Sequence, residues 1–170
     1  TVREVYGYKG RAQVMHNGID EQYFTIKRQA RVPRRPRILR LLFVGRLSKQ
    51  KNLGALLQAL AVTKRKVHLD LVGDGEERES VQAMVETLGL TNVTMHGRQT
   101  RAQVLDFYKT CDALVMPSLY EAQPLVLLEA MAARIPIIGT NVIGVEDHIK
   151  DGGIVVEPTP AGLAKGIEQY

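Results

Sequence analysis

Short, mainly apolar runs that stop on glycine or proline and lead into helical patterns constrain this chain more than any other feature. Leu39–Val44 runs into Gly45, Val67–Val72 into Gly73-Asp74-Gly75, Val93–His96 into Gly97, and Ala113–Met116 into Pro117. Ile135–Thr140 and Ile154–Val156 are further runs of this kind. Helical spacing is expected over Leu53–Val62, Glu76–Leu88, Arg101–Tyr108, Pro124–Ala133 and Leu163–Tyr170. Strands that read as near-continuous apolar runs belong to a parallel sheet covered on both faces. A three-layer α/β/α domain is therefore expected. Such sheets take their ligands outside the carboxyl ends of the strands.

Local signals support these assignments. Asn52 and Thr100 are placed as N-caps, Pro124 in a first turn, and Gly89 as a helix stop. Ahead of the regular region, residues 1–24 are read as a helix remnant, a short strand around Ala12–Met15 and a turn at His16-Asn17-Gly18. Pro33 and Pro36 mark a linker, so residues 1–37 are set apart from a domain at 38–170. Cys111 is the only cysteine, which excludes an internal disulfide and a multi-cysteine zinc site. No apolar run approaches the roughly 18 residues that span a bilayer, and no apolar leader is visible. A cytoplasmic location is the expectation.

The net charge of +5 hides an asymmetry. Residues 1–66 hold 16 Lys/Arg against 3 Asp/Glu, and residues 67–170 hold 7 against 15. Lys27–Arg40 is the densest tract, with seven basic residues in fourteen. It fits a solvated loop, an anionic membrane surface or nucleic acid. It contains no aromatic residue, which weakens a single-stranded nucleic-acid platform.

The chemistry-bearing residues lie in the strand-end loops. Gly45 permits a sharp turn, and Arg46 and Lys51 then place two cations beside a helix start, an arrangement suited to a diphosphate. A solubilising surface turn fits the same residues. Gly73-Asp74-Gly75 lacks the third glycine of a dinucleotide fingerprint and is read as a tight turn. Glu121 lies in a loop and Glu129 in an otherwise apolar helix. Eight residues at helical rise span about 12 Å, beyond the roughly 5–9.5 Å between paired hydrolytic carboxylates. The pair is better suited to two ends of one elongated ligand. For Glu129 the structural alternative is an ion pair with Arg98 or Arg134. His16, His68, His96 and His148 show no i, i+4 pairing, and no metal site is expected.

Glu121-x7-Glu129 followed by Ala-Met-Ala, with Val-Gly-Arg…Lys51-Asn52 and Leu-Val-Gly-Asp-Gly upstream, resembles a retaining glycosyltransferase of family 4. The likeness is to the donor-binding domain of a GT-B fold and runs from Asn17-Gly18-Ile19-Asp20 to Val156. It departs from the family pattern at Arg134, where Gly is frequent, and at Ile143 to Asp147, where Gly-Gly-x-x-Glu is common. Gln123-Pro124 replaces a frequent Phe-Gly.

The resemblance implies a Rossmann-like domain, one half of a GT-B fold, binding a UDP- or GDP-sugar. Arg46 and Lys51 would hold the diphosphate, Glu121 would lie near the sugar, and Glu129 would take the ribose hydroxyls. Backbone N–H groups at Leu125 and Val126 would face phosphate or sugar, backbone near Gly97-Arg98 would meet the base, and Gly45 would permit close approach. No cofactor is implied beyond the donor, since two cations can replace a metal. Hexosyl transfer with retention, in glycan, polysaccharide or glycolipid synthesis, is the implied activity. It needs an N-terminal acceptor domain that these residues do not contain, so this chain alone is expected to be inactive. The alternative is a non-catalytic basic module acting through residues 27–40.

Overall fold

A computed structural model of the chain describes residues 7, 9–11, 17–27, 38–149 and 152–170. The strand expected at Ala12–Met15 and the turn residue His16 lie outside these residues, as do positions 28–37 of the basic tract.

Six strands form one sheet: β1 Leu39–Val44, β2 Val67–Val72, β3 Val93–Gly97, β4 Ala113–Met116, β5 Ile137–Thr140 and β6 Gly153–Val156. Every paired neighbour is parallel, in the order β3-β2-β1-β4-β5-β6. The helices are α1 Leu53–Val62, α2 Arg78–Thr87, α3 Arg101–Thr110, α4 Leu125–Ala132, α5 Glu146–Ile149 and α6 Pro160–Gln169. This is the expected Rossmann-like three-layer fold. Within each apolar strand, alternate residues serve different cores. Leu41, Phe43, Leu69 and Leu71 pack under α1, α2 and α6, while Leu42, Leu114, Met116 and Ile137 pack under α3 and α4. The strands are mainly apolar because both faces are covered, with Arg40, His68, Asp70, Thr94 and His96 among the polar exceptions.

The order reverses between β1 and β4, where Leu41 pairs with Ala113 and Leu42 with Leu114. The loops after these two strands therefore leave toward opposite faces and open a crevice between them.

Several boundaries differ from expectation for local reasons. The helix expected from Glu76 begins at Arg78, because the Glu77 N–H donates to Leu47 O in the neighbouring loop at 3.0 Å. The strand expected from Ile135 begins at Ile137. Pro136 has no N–H, and the Ile135 N–H closes α4 on Ala130 O at 2.9 Å. The last helix starts at Pro160, with Thr159 accepting from the Gly162 N–H, rather than at Leu163. Asn52 is not the side-chain N-cap expected. It adopts a left-handed conformation (φ 52°), and its amide donates to Pro117 O at 3.0 Å and Pro158 O at 3.1 Å. It thus ties the loop after β1 to the loops after β4 and β6. Thr100 does cap α3, in a reciprocal box with Gln103.

Among the described residues no helix is long and apolar enough to cross a membrane.

Candidate functional site

At the carboxyl edge of the sheet, the loops after β1 and β2 are fused by backbone. Gly45 N–H donates to Val72 O, Leu47 N–H to Asp74 O, and Gly73 N–H to Gly97 O, all at 2.9–3.0 Å. A Cβ on Gly73 (φ +141°) would lie 1.8 Å from Gly45 O. The glycine of the Gly73-Asp74-Gly75 turn is thus what lets the two loops touch. This close approach falls to Gly73 more than to Gly45, where a Cβ would lie 3.3 Å from the Phe43 ring.

Over these loops opens a cleft of about 880 Å³ lined by Gly45, Arg46, Gly75, Arg98, Gln99 and Val104, among others. Arg46 and Arg98 are exposed at its rim, and Gly97 ends β3 beneath it. Arg46 Nε donates to Glu76 Oε2 at 2.9 Å. Both groups are more than half exposed, so the pair contributes little to stability. The Glu76 carboxyl is held below its ordinary range by its own backbone N–H, then by Arg46.

Across the switch point, Lys51 Nζ meets Glu121 Oε1 at 2.5 Å. Ser118 Oγ donates to the same oxygen at 2.7 Å, and Gln50 Nε2 reaches Oε2 at 3.4 Å. Glu121 is 8% exposed, so this carboxylate is buried with its lone pairs engaged. The loop carrying it is held by Leu119 N–H to Gln50 O at 2.8 Å and by Glu121 N–H to Ile143 O at 3.2 Å. Thr140 Oγ1 adds a bond to Ser118 O at 2.6 Å. Gly144 (φ +81°) packs on this backbone, and a Cβ there would lie 2.2 Å from Glu121 O.

Glu129 stands in the second turn of α4, on the other face from α1. Tyr108 donates to its Oε2 at 3.2 Å, and Tyr23 faces the same carboxylate. These tyrosines, rather than Arg98 or Arg134, are its partners. Leu125 and Val126 begin α4, where first-turn N–H groups have no carbonyl within the helix to bond.

The structure therefore brings Lys51 and Glu121 into contact and sets Arg46, Gly45 and Arg98 on one cleft. Glu129 instead meets Tyr108, on the same helix as Val104 of the cleft lining. Sequence reasoning assigned no role to Ser118, Gln50, Tyr23, Tyr108 or Gly144, although Ser118 and Gly144 lie in strand-end loops, where ligands of such sheets bind. Arg40, the end of the basic tract, lies in β1 with its guanidinium on Asp70 at 2.9 Å. His96 is likewise engaged within the fold, against Asp70 at 2.8 Å and edge-on to Phe107. Among the described residues no cluster of His, Cys, Asp or Glu has metal-site geometry.

A doubly wound parallel sheet with an arginine-rimmed cleft and a buried carboxylate at its strand ends defines an α/β domain of the Rossmann-like class. The sequence pattern described as "Glycosyl transferases group 1" matches residues 25–170, and the chain belongs to that family. It is 33% identical over 161 residues to the D-inositol 3-phosphate glycosyltransferase of Paenarthrobacter aurescens, covering 86% of this chain and 40% of that one. It resembles the lipopolysaccharide outer core galactosyltransferase WaaB in apo form at a TM-score of 0.73 and 32% identity, over 81% of this chain and 41% of that one. It shares its fold with Anabaena Alr3699/HepE in complex with UDP and glucose, at a TM-score of 0.78 and 23% identity, over 95% and 48% of the two chains. The chain thus spans less than half the length of these proteins.

Proposed function

We propose that this chain is the donor-binding part of a glycosyltransferase that takes a nucleoside-diphosphate sugar, UDP- or GDP-linked, at the carboxyl edge of its sheet. The supporting observation is the junction of the β1 and β4 loops, where Lys51, packed against Gly45 of the cleft that Arg46 and Arg98 line, holds Glu121 together with Ser118. Breaking an anomeric C–O bond leaves a diphosphate, so negative charge grows on the departing oxygen and positive charge on the sugar. Arg46, Lys51 and the Leu125 and Val126 N–H groups are the donors for the first, in place of a metal ion. Glu121, oriented by its three partners, offsets the second or holds sugar hydroxyls. Glu129 takes the ribose, and backbone near Gly97-Arg98 meets the base. In this reading residues 1–37 lead from an acceptor domain of the same protein, and 38–170 form the donor domain. The greater length of the family members fits that division. Hexosyl transfer with retention, for glycan or polysaccharide synthesis at the cytoplasmic face, completes the proposal.

Calorimetric titration with UDP, GDP and uridine tests it. The expected result is binding of one diphosphate. Arg46→Ala, an exposed residue whose loss leaves the core intact, is expected to weaken diphosphate binding about tenfold and uridine binding far less. Silence toward both diphosphates in a folded sample defeats the proposal.

A further inference from the structure

We propose that Tyr108 and Tyr23 are positioning residues for Glu129, holding its carboxylate with free acceptor sites turned to the vicinal hydroxyls of the nucleotide ribose; this rests on the donor-binding reading above. A glutamate on an apolar helix needs partners, and the choice of partner decides what it can still do. An arginine fork engages both oxygens and leaves a saturated ion pair. A phenol supplies one donor to one oxygen. An ionised carboxylate offers about four acceptor sites, so the phenol of Tyr108, backed by the Tyr23 ring, leaves others for a diol.

The geometry is rigid. Tyr108 is fully buried, and its hydroxyl lies 3.2 Å from Glu129 Oε2 and 3.4 Å from Val126 O. Tyr23 is 1% exposed and packs edge-on against Tyr108, with centroids 5.8 Å apart and planes at 84°. Its far side is held by Arg101, whose guanidinium carbon lies 5.9 Å from the ring centre and which pairs with Asp20 at 3.2 Å. Asp20 in turn caps the single turn Glu21–Tyr23. The turn from Asp20 to Tyr23 is therefore tied to α3 through Arg101 and Tyr108 and packs against α4, the helix that carries Glu129. Both phenols keep their protons at neutral pH. Burial first, then the Glu129 carboxylate, pushes Tyr23 up to about 12 and Tyr108 well above its ordinary value. Tyr108 therefore meets Glu129 as a donor, and neither phenol is a competing anion.

Tyr108→Phe and Tyr23→Phe keep the rings and remove only the hydroxyls. They are tested in the whole chain by titration with UDP and GDP and with the 2′,3′-dideoxy forms of each. Each substitution is expected to weaken ribonucleotide binding about two- to tenfold, the size of one hydrogen bond. The dideoxy forms should lose less than about twofold, and the substitutions should add nothing in a Glu129→Ala background. Equal losses on ribo and dideoxy forms overturn the positioning role and leave donor binding standing. No binding of UDP or GDP by the unsubstituted chain overturns donor binding and the ribose role together. A second measurement needs no nucleotide. Glu129→Gln should lower the ionisation of Tyr23, followed by phenolate absorbance, from about 12 toward its ordinary range. An unmoved titration shows that the phenol does not face this carboxylate and ends the proposal.

Discussion

At the scale of single residues, the chain contains an internal comparison. Two helices end in the same hydrogen-bonded motif. After α2, Gly89 N–H returns to Glu86 O and Leu90 N–H to Val85 O. After α4, Arg134 N–H returns to Met131 O and Ile135 N–H to Ala130 O. The residue at the turn is left-handed in both, at φ +63° for Gly89 and +55° for Arg134. The backbone demand is the same, but one site meets it without a Cβ and the other with one. Holding a non-glycine residue there costs about 1 kcal/mol. Arg134→Gly is therefore expected to stabilise the chain by about 1 kcal/mol, raising the melting temperature about 2–4 °C. Differential scanning calorimetry checks this, and a fall in melting temperature would show that the arginine side chain earns its place by contacts. Gly144 is the converse case. Gly144→Ala drives a methyl into Glu121 O and should displace the loop that holds the carboxylate. Destabilisation above about 1 kcal/mol, with weakened nucleotide binding, is the expected outcome.

At the scale of elements, the legible part was what local chemistry controls. Leu39–Val44, Val67–Val72 and Ala113–Met116 were readable because each is a mainly apolar run closed by glycine or proline. Thr100 was readable as a cap because its partner Gln103 lies three residues on. Asn52 was not, because its bonds go to Pro117 and Pro158, which are distant in sequence and near only after the sheet has assembled. The same holds for the site. Lys51 and Glu121 were legible as residue types, but Ser118 and Gln50 acquire their roles only when the β1 and β4 loops meet. Glu129 was expected to be satisfied by a ligand or by arginine. Its tyrosines come from α3 and from the segment before β1, which no local pattern connects to it. The contact between the β1 and β2 loops rests on Gly73, so Gly73→Ala should force them apart. A loss of several kcal/mol or failure to fold is expected, against a small effect for Gly18→Ala, where a Cβ meets nothing within 4 Å. Comparable urea midpoints for the two variants would contradict this account of the turn.

At the scale of the whole molecule, the sheet's reversed order sets the ligand edge at its centre, and the outer strands must be held by other means. On the β3 side that hold is polar. Asp70 of β2 is 4% exposed and accepts from Arg40 Nη2 of β1 at 2.9 Å. Its other oxygen meets His96 of β3 at 2.8 Å and His68 of its own strand at 3.4 Å. Burial alone would raise the pKa of this carboxyl. The Arg40 hydrogen bond, followed by that of His96, outweighs it and holds Asp70 below its ordinary 3.8. A carboxyl depressed in the folded state binds its proton more readily when unfolded, so unfolding takes up a proton in acid. Its stabilisation is complete above the ordinary carboxyl pKa and is lost as pH falls below about 4 toward the folded value. Asp70→Asn should therefore cost stability at neutral pH, about 1–3 kcal/mol for an Arg40 left without its charge partner, and should flatten the decline in acid. Urea unfolding between about pH 2 and pH 6 separates the two effects. Curves for parent and variant that stay parallel throughout would mean that Asp70 does not couple the three strands through its charge, and that apolar packing under α2 and α3 alone holds this side of the sheet.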